Sequence, residues 1–465
     1  MFPQFWQLLT AWSSLDSWIV VTAALTAVAC SLPGLWLVLR RQSMMGDALS
    51  HTALLGVILS MLTVTAAKAL GWISEGQFAV GMQLALIIGA VLMGIVTTVL
   101  TEWLQGLAHV DGSTALGVVF TGLFAVGLVL IRVVADDAHI DAECVLYGNL
   151  EGVVWDTWNW FGWEIPKAAC LTALMLILNL ALTVVFFKEL RLAAFDAELA
   201  TTQGVNARVM HYAHMALTAA TVTAAFQSVG SILVIALLVV PAVTALQLSW
   251  RLRTVVLLTL CVAGVSAMVG HVMAKTLPAL LGGALGWPEV RDASSSGMIC
   301  VAAGLLFLIA TVCGPRGYLV DGWARLQLMW QIAEEDVLGS LYRTEETEGA
   351  VSTLGAFPVL SPRSWFGQYL LRRLRWRGLA LVNASGEYHL TPAGQTHARD
   401  VVRRHRLWES YMHKHFSLPD DHLHETAHRI EHYIDPKLQL ALDTELDAPA
   451  LDPHGKKIPD PGQRP

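Results

Sequence analysis

Charge is scarce in this chain. Only 14% of its 465 residues are Asp, Glu, Lys or Arg, while 55% are hydrophobic and the mean hydropathy is +0.53. Those values exclude a wholly soluble globular protein and point to a polytopic membrane protein with room for a soluble portion. Cysteine is scarce too. The six (30, 144, 170, 261, 300 and 313) fall mostly in apolar runs and none in a CxxC spacing. A zinc ribbon or disulfide framework is thereby excluded, leaving small packing residues. No Gly-x-x-x-x-Gly-Lys-Ser/Thr occurs, so the chain lacks the lysine and hydroxyl with which a P-loop holds phosphates and magnesium. No nucleophile–base pair suggests an enzyme. The N-terminus, Met-Phe-Pro-Gln-Phe-Trp, lacks the basic region of a cleavable signal peptide, so the first apolar segment is expected to stay in the mature protein.

What is present is a series of long apolar runs. A span needs about 20 apolar residues. By that measure residues 17–39, 45–66, 78–100, 114–134, 167–187, 211–228, 230–249, 254–274 and 297–314 are candidates. The run 211–249 is nearly continuous, so about eight to ten spans are expected. Basic residues choose the orientation. Arg40, Arg41, Lys188, Arg191, Arg208, Arg251, Arg253, Arg316 and Arg325 share one side if the N-terminus is outside. The opposite side receives Asp136, Asp137, Asp141, Glu143, Glu151, Asp156 and Glu164. An odd number of spans then leaves everything after residue 316 in the cytoplasm. The acidic loop reads as a solvated face rather than a docking site.

Near the start of the second run stands Arg40-Arg41-x-x-Met44-Met45-Gly46-Asp47-Ala48-Leu49-Ser50-His51, followed by Leu54-Leu55-Gly56. Asp47 and His51 are four apart, so a helix places them on one face, one turn apart. A hard oxygen beside an imidazole nitrogen suits divalent manganese, iron or zinc. Intramembrane carboxylates are costly and usually functional. On spacing alone, an interfacial Asp with a hydrogen-bonding His is an equal alternative. The wording of the stretch resembles the signature of the metal-ion permeases of ABC importers. That resemblance implies a transport path lined by Asp47 and His51. It also implies an ATPase on a separate subunit, an extracytoplasmic metal-binding protein, a second permease subunit and residence in the bacterial inner membrane.

Two more stretches are similar to that family. Residues 188–200, Lys188 to Ala200, read as one short amphipathic helix followed by Gly204. Phe195, Asp196, Glu198, Ala200 and Gly204 match the helix that docks in the ATPase. Gly230 to Pro241 reads as a closely packed, bent helix. His271 and Lys275 near the end of the eighth span, and His211 and His214 in the sixth, read as packing groups rather than ligands.

After Gly314-Pro315-Arg316-Gly317 the composition changes, and ten of the sixteen histidines lie in the tail. The expected division is a membrane domain 1–316, a linker 317–332, a domain 333–450 and a disordered end 451–465. Helices, a basic helix (364–378) and a hairpin over 379–390 with Ser385-Gly386 at its turn give the order of a winged helix-turn-helix. Leu390-Thr391-Pro392-Ala393-Gly394, Arg403 to Glu409 and His424 to His432 resemble the diphtheria-toxin-repressor family of metal-dependent regulators. By spacing, His405 and Glu409, His424 and His428, and His428 and His432 are i,i+4 pairs. The resemblance implies one metal site from Asp336, His428, Glu431 and His432, and a second from His405, Glu409 and His424. Gly339 stands where a manganese regulator would supply another carboxylate. With no thiolate, Mn²⁺ or Fe²⁺ is modestly favoured over Zn²⁺.

The fold class expected is thus an all-α polytopic membrane protein followed by a cytoplasmic α+β winged-helix-like metal-sensing domain. Arg372, Arg373 and Arg375 could contact DNA phosphates, although Ala350–Pro362 is a poor match to a reading-head helix. The alternative function is a metal-dependent DNA-binding repressor, released by proteolysis.

Overall fold

The computed structural model describes residues 12–72, 75–134, 148, 150–160, 163–285, 292–348, 365–382, 388–416 and 420–460. They divide into two compact units, Met1–Val320 and Asp321–Pro465. Asp136, Asp137, Asp141, Glu143 and residues 350–362, together with the Ser385-Gly386 turn, lie outside the described residues.

The first unit is a bundle whose central helix is α1 (Ser14–Leu39), packed against α9 (Ala207–Leu248), α10 (Leu252–Leu285) and α6 (Lys167–Val185). A reciprocal capping box of Ser13 and Asp16 starts α1 and satisfies two of the orphan amides of its first turn. Around it lie α2 (Met44–Ala69), α3 (Glu75–Ala108), α4 (Gly112–Val134), the short α5 (Leu150–Val153) and α11 (Ser295–Cys313). Among the described residues eight helices are long and apolar enough to cross a membrane.

One of them hides a reversal. Gly230, inside α9, has φ 75° and ψ 167°, a conformation open mainly to glycine. Met215 packs in one cluster with Leu37, and Ala245 packs in another with Leu35. A straight helix would hold residues 215 and 245 about 45 Å apart. The chain therefore turns back at Gly230, and 207–229 and 231–248 run in opposite directions along α1. The two neighbouring runs expected at 211–228 and 230–249 are these two limbs, although the first is not apolar enough to count among the eight.

The segment expected as a single amphipathic helix is two: α7 (Phe187–Phe195) and α8 (Ala197–Thr202). Asp196 breaks it. Its backbone is extended, and its side chain accepts from the Leu199 amide as the N-cap of α8. Gly204 follows with φ +83°. An antiparallel hairpin, β1 (Thr157–Trp160) and β2 (Trp163–Pro166), leads directly into α6.

The second unit opens within α12 (Tyr318–Glu348). The linker expected at 317–332 is thus helical from Tyr318, because the apolar positions 326, 330, 337 and 341 continue one stripe and no proline interrupts it. Next come α13 (Trp365–Trp376), a hairpin of β3 (Ala380–Val382) and β4 (Tyr388–Leu390), α14 (Pro392–His415), α15 (Asp420–Ile430), a 3₁₀ turn at Glu431–Tyr433 and α16 (Pro436–Glu445). Val337, Leu338, Leu341, Leu370, Leu374, Ala380, Leu390 and Ala398 form the core, with Trp330 stacked on Phe366. The end expected to be disordered is ordered to residue 460. Leu451 bridges to Lys457, Ile458 is buried, and the buried Arg403 and Arg406 donate to the Pro459 and Lys457 carbonyls. Two buried guanidiniums need acceptors, and this segment supplies them.

Candidate metal sites

Asp47 and His51 are brought together one turn apart on α2, His51 Nε2 lying 3.3 Å from Asp47 Oδ1. Both side chains are about a third exposed, and the imidazole lies against Phe120 and Phe124 of α4. An oxygen and a nitrogen donor thus sit side by side and partly exposed, the nitrogen's ring against an aromatic wall.

Two other histidines of this unit, His211 and His271, are engaged by protein side chains. His211 Nδ1 lies 2.8 Å from an Arg40 nitrogen and its Nε2 is 3.5 Å from Glu102, which also accepts from Tyr212 at 2.5 Å. His214 is buried. His271 is held between Ser295 (3.0 Å) and Asp16 (3.3 Å), and Lys275 donates to Asp16 at 2.8 Å. Glu151, read as part of a solvated acidic loop, instead accepts from the Ser295 amide at the start of α11. Asp16 therefore ties α1 to α10. Spacing gave no sign of it, because its partners lie more than 250 positions away. The signal available was the cost of a carboxylate at the head of an apolar run.

In the second unit the expected ligands converge. One donor atom each from Asp336, His428, Glu431 and His432, and one each from His405, Glu409 and His424, lie within 4.8 Å of one another in their two groups. Asp336 comes from α12; His428 from α15; Glu431 and His432 from the 3₁₀ turn that tightens its end. His432 Nε2 is 3.1 Å from Asp336 Oδ1, a buried oxygen without a hydrogen bond, and His428 Nδ1 is 3.1 Å from Glu431 Oε1. In the second group His405 Nε2 is 3.0 Å from Glu409 and 2.9 Å from His424 Nδ1. Donors around one ion lie roughly 4 Å apart at most, twice a bond of about 2.1 Å, so both groups fit a small divalent cation after slight contraction. A Cβ on Gly339 would meet Val401 at 3.5 Å, an ordinary contact.

Two residues, Glu335 and His454, and the double role of Glu431 escaped the sequence reading. Glu335 accepts from His432 Nδ1 at 2.8 Å, orienting the ring so that Nε2 faces the cluster. Glu431 reaches both groups: Oε2 accepts from His405 Nδ1 at 2.6 Å while Oε1 faces His428. His454, from the supposedly disordered end, lies 4.0 Å from Glu409. Charge accumulates accordingly. Burial disfavours protonation of His432, yet the carboxylates of Asp336 and Glu335 outweigh it and push the imidazole up to about 9. Burial likewise opposes ionisation of Glu409, but hydrogen bonds from His405 and His424 hold it well below the usual carboxylate range. A cation's charge would replace that of the imidazolium protons.

Of the candidate DNA contacts, Arg373 instead pairs with Glu334 at 2.5 Å, and Arg377 joins it at 2.7 Å. Arg372 and Arg375 point outward and are exposed.

Residues 391–460 match the model of the iron dependent repressor, metal binding and dimerisation domain. The manganese transport system membrane protein MntD of Bacillus subtilis is 36% identical over 63% of this chain and 92% of its own length. The zinc transport system membrane protein TroD of Treponema pallidum is 31% identical over 64% of this chain and 74% of its own. Among solved structures, PsaBC from Streptococcus pneumoniae in complex with Fab aligns with a TM-score of 0.51 and 25% identity, over 69% of this chain and 99% of that one. Residues 15–314 match the model of the ABC 3 transport family, and the chain belongs to that family.

Proposed function

We propose that this chain is the permease subunit of an ABC importer that moves a divalent transition metal into the bacterial cytoplasm, and that its C-terminal unit senses that metal. The observation that carries the first half is the Asp47–His51 pair, side by side on a membrane helix of an ABC 3 family chain. Manganese or iron is favoured over zinc as cargo, since the donors are oxygen and nitrogen without thiolate, and the relative named for manganese transport favours manganese. Relatives named for manganese and zinc transport support the metal class.

In this reading an extracytoplasmic binding protein delivers the ion and a separate ATPase subunit drives the cycle through α7 and α8. The permease works as a dimer, with itself or a relative. The Asp16–Lys275–His271 network ties α1, α10 and α11 at the end of the bundle where α1 begins. The reversal at Gly230 adds a limb to the eight apolar helices and supports an odd number of crossings. With the basic loops inside, this reading has the N-terminus outside and the C-terminal unit in the cytoplasm, where it samples imported metal.

For the C-terminal unit the two donor clusters carry the reading. Metal bound there would supply charge and fixed geometry. The chain's own part is to hold Asp336 on α12 against the 3₁₀ turn, with Glu335 orienting His432 and His405 orienting Glu431. The rival role, a released DNA-binding repressor, is less well supported, since Arg373 is already paired with Glu334. The test is manganese titration of the full chain carrying Asp47→Asn and His51→Ala, with and without His428→Ala. Tight binding lost with His428→Ala supports a sensor; equal binding by both sinks it.

A further inference from the structure

The β1–β2 hairpin leads into α6, away in sequence from the Asp47–His51 pair. Its register sets Trp158 opposite Ile165 and Asn159 opposite Glu164. Alternate positions of a strand share a face, so the Trp158–Ile165 pair is on one face and Asn159 and Glu164 are on the other. Trp158 is 52% exposed, and Trp155, just before the strand, is 72% exposed.

The strand passes without a break into α6, whose surface divides cleanly. Ala169, Thr172, Met175, Asn179 and Thr183 are buried against the bundle. Leu174, Ile177, Leu178, Val184 and Val185 are exposed and apolar, the pattern of a lipid-facing stripe on a membrane helix. Cys170 stands one turn before Leu174 on that stripe. Together with Trp158, Asn159 and Ile165 it lines a groove of about 380 Å³, within the size range of small-molecule sites. The groove therefore continues the lipid-facing surface of α6 to its end.

The chemistry changes at this end in the order that a lipid does. Below lies the aliphatic stripe. Beside the groove are the indole of Trp158 and the amide of Asn159, and tryptophan is enriched where bilayer meets water. Next to it Lys167 pairs with Asp156 at 2.7 Å, both partly exposed, and Glu164 is exposed.

We propose that this groove binds a phospholipid and that the hairpin rests in the headgroup layer, fixing the depth of α6. An acyl chain lies along Leu174 and Cys170 against Trp158 and Ile165. Asn159, at the groove's edge on the strand's other face, stands at the depth of the ester carbonyls, and Lys167, paired with Asp156, at the depth of the phosphate.

Spin-label accessibility on the full chain in lipid nanodiscs tests this. All six cysteines are replaced by alanine, one cysteine is placed at 158 (Trp158→Cys), and a control cysteine is placed at 177 (Ile177→Cys). Collisions with oxygen that exceed those with a water-soluble nickel chelate at 158, as at 177, are expected. Dominance of the nickel chelate would place the hairpin in water and overturn the proposal. Protection from both reagents would mean that protein covers the face, a second copy or a docking partner, and would overturn it equally.

Should the cysteine-free chain fail to fold, brominated phospholipids serve with the native cysteines kept. The emission lost in Trp158→Phe, taken as a difference from wild type, should be quenched more by bromines near the headgroup than by bromines near the chain end. Equal or absent quenching contradicts the site.

Discussion

Raising the pH should tighten metal binding at the Asp336–His428–Glu431–His432 group. In the metal-free unit His432 titrates at about 9. Its Nδ1 is committed to Glu335, so the proton that a metal must displace is the one on Nε2, facing Asp336. Below pH 9 each pH unit therefore changes the apparent affinity about tenfold for that one proton, and the step from pH 6 to pH 8 about a hundredfold. The opposite sign holds for the metal-free fold. A raised histidine pKa contributes stability fully below about 6.5, and that contribution is lost as pH rises through about 9. Metal dependence of stability should thus grow with pH.

The assay is calorimetric titration of the full chain, with Asp47→Asn and His51→Ala to silence the membrane pair. It is run at pH 6, 7 and 8 in two buffers of different ionisation enthalpy, so that released protons are counted. An affinity that is flat or weakens with pH, or no proton release, would refute the competition.

Glu335→Gln keeps the shape but weakens the orientation of His432, and should reduce metal affinity by about 10- to 100-fold at this group; an unchanged dissociation constant counts against it. Lys275→Met leaves the buried Asp16 with Ser13 and His271 but without its lysine partner, and should cost about 3 kcal/mol, the low end for a broken buried pair. Much of that should return in the double variant with Asp16→Asn, read by thermal unfolding in detergent; additive losses would deny the coupling. Gly56→Val drives a Cβ into the Gly89 carbonyl, forcing α2 and α3 apart. A loss of at least about 2 kcal/mol, in the range of overpacked cores, or failure to accumulate in the membrane is expected, and normal yield and melting would contradict it.

The histidine-rich helix was legible because helical spacing is local. His405 to Glu409 and His428 to His432 are fixed by one turn, and the resemblance of the tail supplied Asp336 across ninety residues of sequence. Glu335 was not legible, since an acidic neighbour of a ligand has no spacing rule, and only the direction of the His432 ring reveals it. The membrane runs were legible from hydropathy, but the reversal at Gly230 was not. One residue in an unusual conformation turns the chain without changing composition, and a glycine beside a serine in an apolar run reads equally as close packing. Asp196 illustrates the same limit at shorter range. Its N-cap geometry splits a helix that periodicity alone would continue. The end of the chain, rich in Pro, Gly and Asp, has the composition of a frayed terminus, yet it is ordered by two buried arginines over 50 residues away.

The most direct test of the transport reading is uptake of radiolabelled manganese by cells that express this chain with its ATPase. Wild type is compared with Asp47→Asn and His51→Ala, at matched amounts of membrane-inserted protein. Loss of uptake in both variants, with the ATPase still co-purifying, is the expected result. Normal uptake by both would contradict the assignment of the α2 pair as the metal path.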